Sequence, residues 1–107
     1  MDEVIKITAK IDLFSGQNML QKPIFSNYRP AFYFAGALTK LSGKINLIDR
    51  DSFLPGTSAI VQVTFIKGII SNDYFRKGET FTISEGGEYN LGKGEILEVI
   101  TDKKISS

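Results

Sequence analysis

The sequence predicts an all-β domain, and three observations carry that prediction. Val4 to Leu13 alternates apolar and polar residues without a break. Further short apolar runs recur along the chain, each bounded by Gly, Pro, Ser or Asp, and no stretch shows the periodicity of an amphipathic helix. The 107 residues suit one domain and are too few for two with proper cores.

Taken in order, the strands follow from face alternation. In the first, Ile5, Ile7, Ala9, Ile11 and Leu13 share one face, while Lys6, Thr8, Lys10 and Asp12 share the other. That pattern places one side in a core and the other in water. Phe14-Ser15-Gly16-Gln17-Asn18 then interrupts it as a turn. A second strand runs from about Pro30 to Leu38, with Phe32 and Phe34 facing one way and Ala31, Tyr33 and Ala35 the other. Ser42-Gly43 marks a break, after which Lys44-Ile45-Asn46-Leu47-Ile48 alternates again. Asp49 to Gly56 is a loop ending in the turn residues Leu54-Pro55-Gly56. Ala59 to Lys67 is rich in β-branched residues, with Val61, Val63 and Phe65 on one face. Ser71 to Gly78 is polar and reads as a surface loop. Glu79 to Ser84 and Glu95 to Ile100 supply the last two strands. The core domain spans about residues 4–100, and Thr101 to Ser107 reads as a frayed tail. Strands at this spacing make either a β-sandwich or a small closed barrel.

Composition narrows the function classes. Hydrophobic residues are 42% and charged residues 23%, which argues for a packed globular chain over a disordered one. Eight Phe and four Tyr, with no Trp, supply the bulk of a core. Cysteine is absent, so disulfides and thiolate chemistry are excluded. The N-terminus has no basic head followed by an apolar run, and no apolar stretch is long enough for a membrane helix. The expectation is a cytoplasmic protein without a membrane segment, and Met1 with the polar tail suggests a complete product. A formal net charge of +1 is far below that of proteins that hold nucleic acid by charge alone.

Little in the chain suggests catalysis. Without His, the Ser-His-Asp and Cys-His nucleophile systems and the usual zinc sites cannot form. Gly87-Glu88-Tyr89-Asn90-Leu91-Gly92-Lys93-Gly94 falls one residue short of a phosphate-binding loop. Gly94 replaces the Mg²⁺-binding Ser or Thr, and a strand rather than a helix follows, so no GTP or other nucleotide binding is expected. The acidic pairs Asp49/Asp51, Glu85/Glu88 and Glu95/Glu98 read as solvated surface groups, and no metal or cofactor is expected. Arg29, Lys40, Lys44, Lys67 and Lys93, with Tyr28, Tyr33 and Tyr89, are the candidates for a basic and aromatic surface suited to RNA.

The run Tyr28-Arg29-Pro30-Ala31-Phe32-Tyr33-Phe34, answered by Phe81-Thr82-Ile83-Ser84-Glu85-Gly86-Gly87, resembles the third, C-terminal β-barrel domain of the elongation factor Tu family. There YRPQFYF and FAIREGG occur in the same order. Lys22-Pro23-Ile24-Phe25-Ser26-Asn27 is similar to that family's approach to YRP, and Ser42-Gly43-Lys44-Ile45 to its VTG turn and following strand. Leu54-Pro55-Gly56 is similar to MPG, Phe65-Ile66-Lys67 to LIK, and Gly92-Lys93-Gly94 to the GAG before the final strand. The likeness runs from about Lys6 to Ile100 and implies one closed antiparallel barrel of about six strands. It implies no enzyme, because the family's GTPase chemistry lies in another domain.

In that family this barrel contacts the tRNA T-stem. Carried over, the contact positions are Ala31, Ser42, Lys67, Glu85 and Gly86, with Tyr28, Arg29, Lys44 and Lys93 as supporting surface. Ala31 replaces a Gln and Ser84 an Arg, which removes two hydrogen-bonding groups. Insertions within Ala35 to Leu41 and Ser71 to Lys77 would reshape nearby loops. The resemblance therefore implies first a stand-alone protein-binding module: a translation-factor mimic, a regulator or antitoxin-like binder, or a homo-oligomer. The alternative is an RNA-binding module for the tRNA acceptor/T-stem.

Overall fold

The computed structural model describes residues 3–15, 22–34, 40–67, 75–85 and 89–101, with the backbone alone for Glu3, Val4, Ile66, Lys67, Tyr89 and Thr101. Six strands form one sheet: β1 (Glu3–Leu13), β2 (Ala31–Phe34), β3 (Leu41–Leu47), β4 (Ser58–Lys67), β5 (Thr80–Glu85) and β6 (Tyr89–Thr101). Their order is β1-β4-β3-β2-β5-β6, every pairing is antiparallel, and β6 returns to β1. The sheet is a closed barrel, which settles the choice between sandwich and barrel.

Alternation along each strand builds the interior. Ile7, Ala9 and Ile11 of β1 are completely buried, as are Val61 and Val63 of β4, Ile45 of β3 and Ile83 of β5. The inward faces of β2, β4 and β5 add Phe32, Phe34, Phe65 and Phe81. These rings meet edge-on or tilted: Phe32 and Phe65 are 5.0 Å apart between centroids, and Phe32 and Phe81 are 5.3 Å apart. Such geometry suits the ring quadrupoles better than flat stacking does.

Closing so few strands demands strong curvature, and β6 provides it. Its register shifts once against β1, at Thr8/Ala9, and once against β5, at Ile83/Ser84. Each bulge bends the strand and increases its twist. Glycines let the wall draw tight. A Cβ on Gly94 would lie 2.5 Å from the Phe81 ring.

Several sequence expectations need correction. Ser42-Gly43 is not a break but part of β3. Gly43 faces inward, and a Cβ there would lie 2.6 Å from the Phe65 ring and 2.8 Å from that of Phe32. The glycine thus makes room for aromatic rings instead of ending a strand. Gly92-Lys93-Gly94 lies within β6, which starts at Tyr89, so the last residues of the near-P-loop motif are extended backbone. The Asp49 to Gly56 loop contributes to the core: Phe53 pairs with Ile24 through two backbone hydrogen bonds of 3.0 Å, and both side chains are buried. Phe75, in the segment expected to be a surface loop, is buried against Phe34 and Phe65. The turn at Gly56 is as expected, with φ of 81°. The expected turn at Gly16 to Asn18, the strand segment Ala35 to Leu38, loop residues 71–74, the Gly86-Gly87 pair and tail residues 102–107 lie outside the described residues.

Candidate binding cleft on β2, β3 and β5

The run at Tyr28 enters the barrel wall in two steps. Asn27, with φ of 78°, turns the chain. Tyr28 then pairs with Ile45, whose N–H donates to the Tyr28 carbonyl at 2.8 Å. Pro30, with no N–H to offer, separates this bridge from β2. Ala31 follows in the middle of three strands, opposite Ser42 of β3 on one side and Ser84 of β5 on the other.

That register builds a cleft of about 390 Å³. Ala31, Ser42 and Ser84 line it from the strands, with Tyr28, Arg29, Lys40 and Glu85 around them. The Tyr28 hydroxyl donates to Glu85 Oε1 at 2.9 Å and ties the segment before β2 to the end of β5. Burial, and then the Glu85 carboxylate beside it, push the Tyr28 phenol well above its ordinary range. The phenol is therefore a neutral donor at physiological pH. Ser84 is almost fully buried although it lies outside the regular in-facing alternation, next to the β5–β6 register shift. The position occupied by Arg in the resembling motif is thus a small, enclosed residue at the cleft. Arg29, Lys40 and Ser42 are exposed. Its exposed groups are two cations, the Ser42 hydroxyl and an oriented carboxylate, all suited to hydrogen bonding and charge recognition.

Six of the residues named as candidates for a binding surface therefore converge: Tyr28, Arg29, Ala31, Lys40, Ser42 and Glu85. Lys67 ends β4, two residues beyond Phe65, the partner of Gly43, so its backbone lies at the same end of the wall as the start of β3. Gly86 lies outside the described residues. The supporting cations do not gather on one surface. Lys44, two residues beyond Ser42 on β3 and opposite Thr64 on β4, does not line the cleft. Lys93 lies opposite Asp12 and Thr82 and shares a second groove with Tyr33. Register causes this division, because β5 lies between Lys93 and β2.

Two other features escaped the sequence reading. One is the second groove, of about 720 Å³, which crosses the outer faces of β1, β6, β5 and β2. The other is a hollow of about 630 Å³ where Phe25 and Ile48 meet Asp49, Arg50 and Asp51. Phe25 is 57% exposed and Ile48 55% exposed. Arg50 pairs with Asp49 at 3.2 Å. An available signal was that Ile48 directly follows Leu47 and so breaks the alternation at the end of its run, while Phe25 belongs to no alternating run.

Among the described residues there is no group of three or more His, Cys, Asp or Glu arranged to hold a metal ion. No helix among them is long and apolar enough to cross a membrane. No protein-family model matches the chain.

Proposed function

We propose that this chain is a non-catalytic binding module that engages a protein partner through the Phe25/Ile48 hollow. The observation that carries this reading is the exposure of those two large apolar side chains in one hollow rimmed by Asp49, Arg50 and Asp51. An apolar centre with a charged rim is the usual anatomy of a protein interface. Leu54, also half-exposed, follows Phe53, which bridges to the neighbour of Phe25. The closed sheet supports the same reading from another side. Closure leaves each described strand paired on both sides, which favours recruitment of partners through side chains over strand addition. The resemblance to the elongation factor Tu barrel suggests a cytoplasmic role among translation factors, as mimic, regulator or antitoxin-like binder.

The test is quantitative affinity capture with the wild-type chain and a Phe25→Ser/Ile48→Ser variant. Both residues are exposed, so the variant should melt near the wild-type temperature. A partner retained by the wild type and reduced at least about tenfold by the variant supports the reading. Equal retention by both proteins sinks it.

A second reading has its own observation. Tyr28, Arg29, Ser42 and Glu85 surround one cleft with Lys40, which favours recognition of a tRNA acceptor/T-stem helix there. Fluorescence anisotropy with a labelled minihelix should show saturable binding that weakens with salt and falls in Arg29→Ala and Lys67→Glu. No binding at tens of micromolar protein, on the order of the affinity expected for nonspecific contacts, removes this reading.

A further inference from the structure

The second groove carries four charges in a square. Across the β1–β6 ladder, Lys10 faces Glu95 and Asp12 faces Lys93. All four side chains line the groove, and Lys10, Lys93 and Glu95 are exposed. Asp12 accepts a hydrogen bond from the Ser58 hydroxyl, but none of the four charges forms an ion pair with another described residue. The result is a checkerboard: along each strand and across the ladder, neighbouring charges have opposite sign.

From this pattern we infer that the groove face is a self-association surface, whose partner is a second copy of the chain in a symmetric dimer. A partner of one sign would meet as many like charges as unlike ones. A second copy matches all four. A two-fold axis between the two faces and parallel to the strands sets Asp12 over the second copy's Lys93, and Lys10 over its Glu95. An axis between the faces and across the strands sets Asp12 over the second copy's Lys10, and Lys93 over its Glu95. Opposite signs meet in both arrangements, as the self-complementarity of a two-fold interface requires. Apolar groups flank the square: Tyr33 borders the groove, and Ile60, the β4 partner of Lys10, is 48% exposed. A formal net charge of +1 leaves little repulsion between copies. Exposed charge pairs contribute little each, so the dimer is weak and salt-sensitive.

This inference uses a different face from the proposed partner hollow and does not rest on that reading. Sedimentation velocity of the full chain, from about 10 μM to about 1 mM, tests it. The wild type should move from monomer to dimer across that range, with affinity falling about tenfold between low and moderate salt. Two variants, checked for folding by circular dichroism and thermal melting, make the test decisive. Asp12→Lys/Glu95→Lys turns the square wholly positive, and Lys10→Glu/Lys93→Glu turns it wholly negative. Each should be monomeric alone, and an equimolar mixture should dimerise again. A wild type that stays monomeric, or variants that self-associate as the wild type does, overturns the inference. So does a mixture that stays monomeric. Because Phe25 and Ile48 are untouched, the variants should still capture the proposed partner. Loss of that capture with no change in self-association would assign the groove to another protein and also overturn the inference.

Discussion

The two sides of this barrel are held together by different means. On one side the long strand β1 is laddered to β4 from Glu3↔Lys67 to Asp12↔Ser58 and to β6 from Ile5↔Thr101 to Leu13↔Gly92. On the other, β2 has four residues and meets β3 only at Ala31↔Ser42 and Phe32↔Leu41. The long wall rests on backbone hydrogen bonds and aliphatic side chains. The short strand pairs with β5 along all four of its residues, and aromatic packing adds to that hold, because Phe32 and Phe34 reach Phe65, Phe75 and Phe81. The candidate cleft lies beside the short β2–β3 ladder. There the rings inside the barrel supplement a ladder that is continuous only toward β5.

The largest test of that contrast is Phe32→Ala. Truncating a fully buried ring should cost about 3–5 kcal/mol, and Ile7→Ala on the long wall about 2–5 kcal/mol. Denaturant unfolding measures both. The contrast predicts a different local consequence: amide exchange of Ala31 and Ser84 should accelerate in Phe32→Ala and stay protected in Ile7→Ala. Equal acceleration in the two variants would erase the distinction.

A medium effect is expected at Gly43. The methyl group of Gly43→Ala would lie within 3 Å of atoms of Phe65, Phe32 and Val63, so overpacking should destabilise by about 1–3 kcal/mol. Adding Phe65→Leu should relieve part of that strain. A double-mutant cycle showing simple additivity would mean that the rings do not crowd this position.

The smallest effect belongs to Tyr28→Phe. Its bond to Glu85 is exposed, so the loss at neutral pH should be about 0.5–1 kcal/mol. The pH dependence is more telling. The folded protein holds the phenolic proton more tightly than the unfolded chain does, since the Tyr28 phenol is pushed up by burial and by Glu85. Its contribution is complete below the ordinary tyrosine value of about 10 and is lost as pH rises beyond it. Between pH 9 and about 11.5, melting temperature should fall more steeply for the wild type than for Tyr28→Phe. Parallel curves would show that the bond does not hold the proton.

Much of the wall was legible in the chain because a strand's side-chain period is short and local. Ile5 to Leu13 announced a buried face, and Val61, Val63 and Phe65 another. Glycine was the main source of misreading. At Ser42-Gly43 and at Gly92-Lys93-Gly94 it suggested interruptions, whereas it permits close packing within β3 and β6. Nothing local reveals that a missing Cβ is needed by a ring distant in sequence. Phe53 and Phe75 were missed for a related reason, as each leaves a polar segment to fill the core.

The cleft was legible as residues but not as a place. Tyr28, Arg29, Ser42 and Glu85 could be named from motif resemblance, yet only strand order brings them together. The same order separates Lys93 from them. By itself the sequence determined an all-β chain, the inward faces of its main strands and the absence of histidine and cysteine chemistry. Closure, which alternation left open and only the motif resemblance implied, is as expected; the tertiary structure alone decided that Tyr28 meets Glu85 and that four charges form a square across β1 and β6. The division has one physical cause. Alternation is a property of neighbours along the chain, whereas closure and register depend on which distant strands share hydrogen bonds.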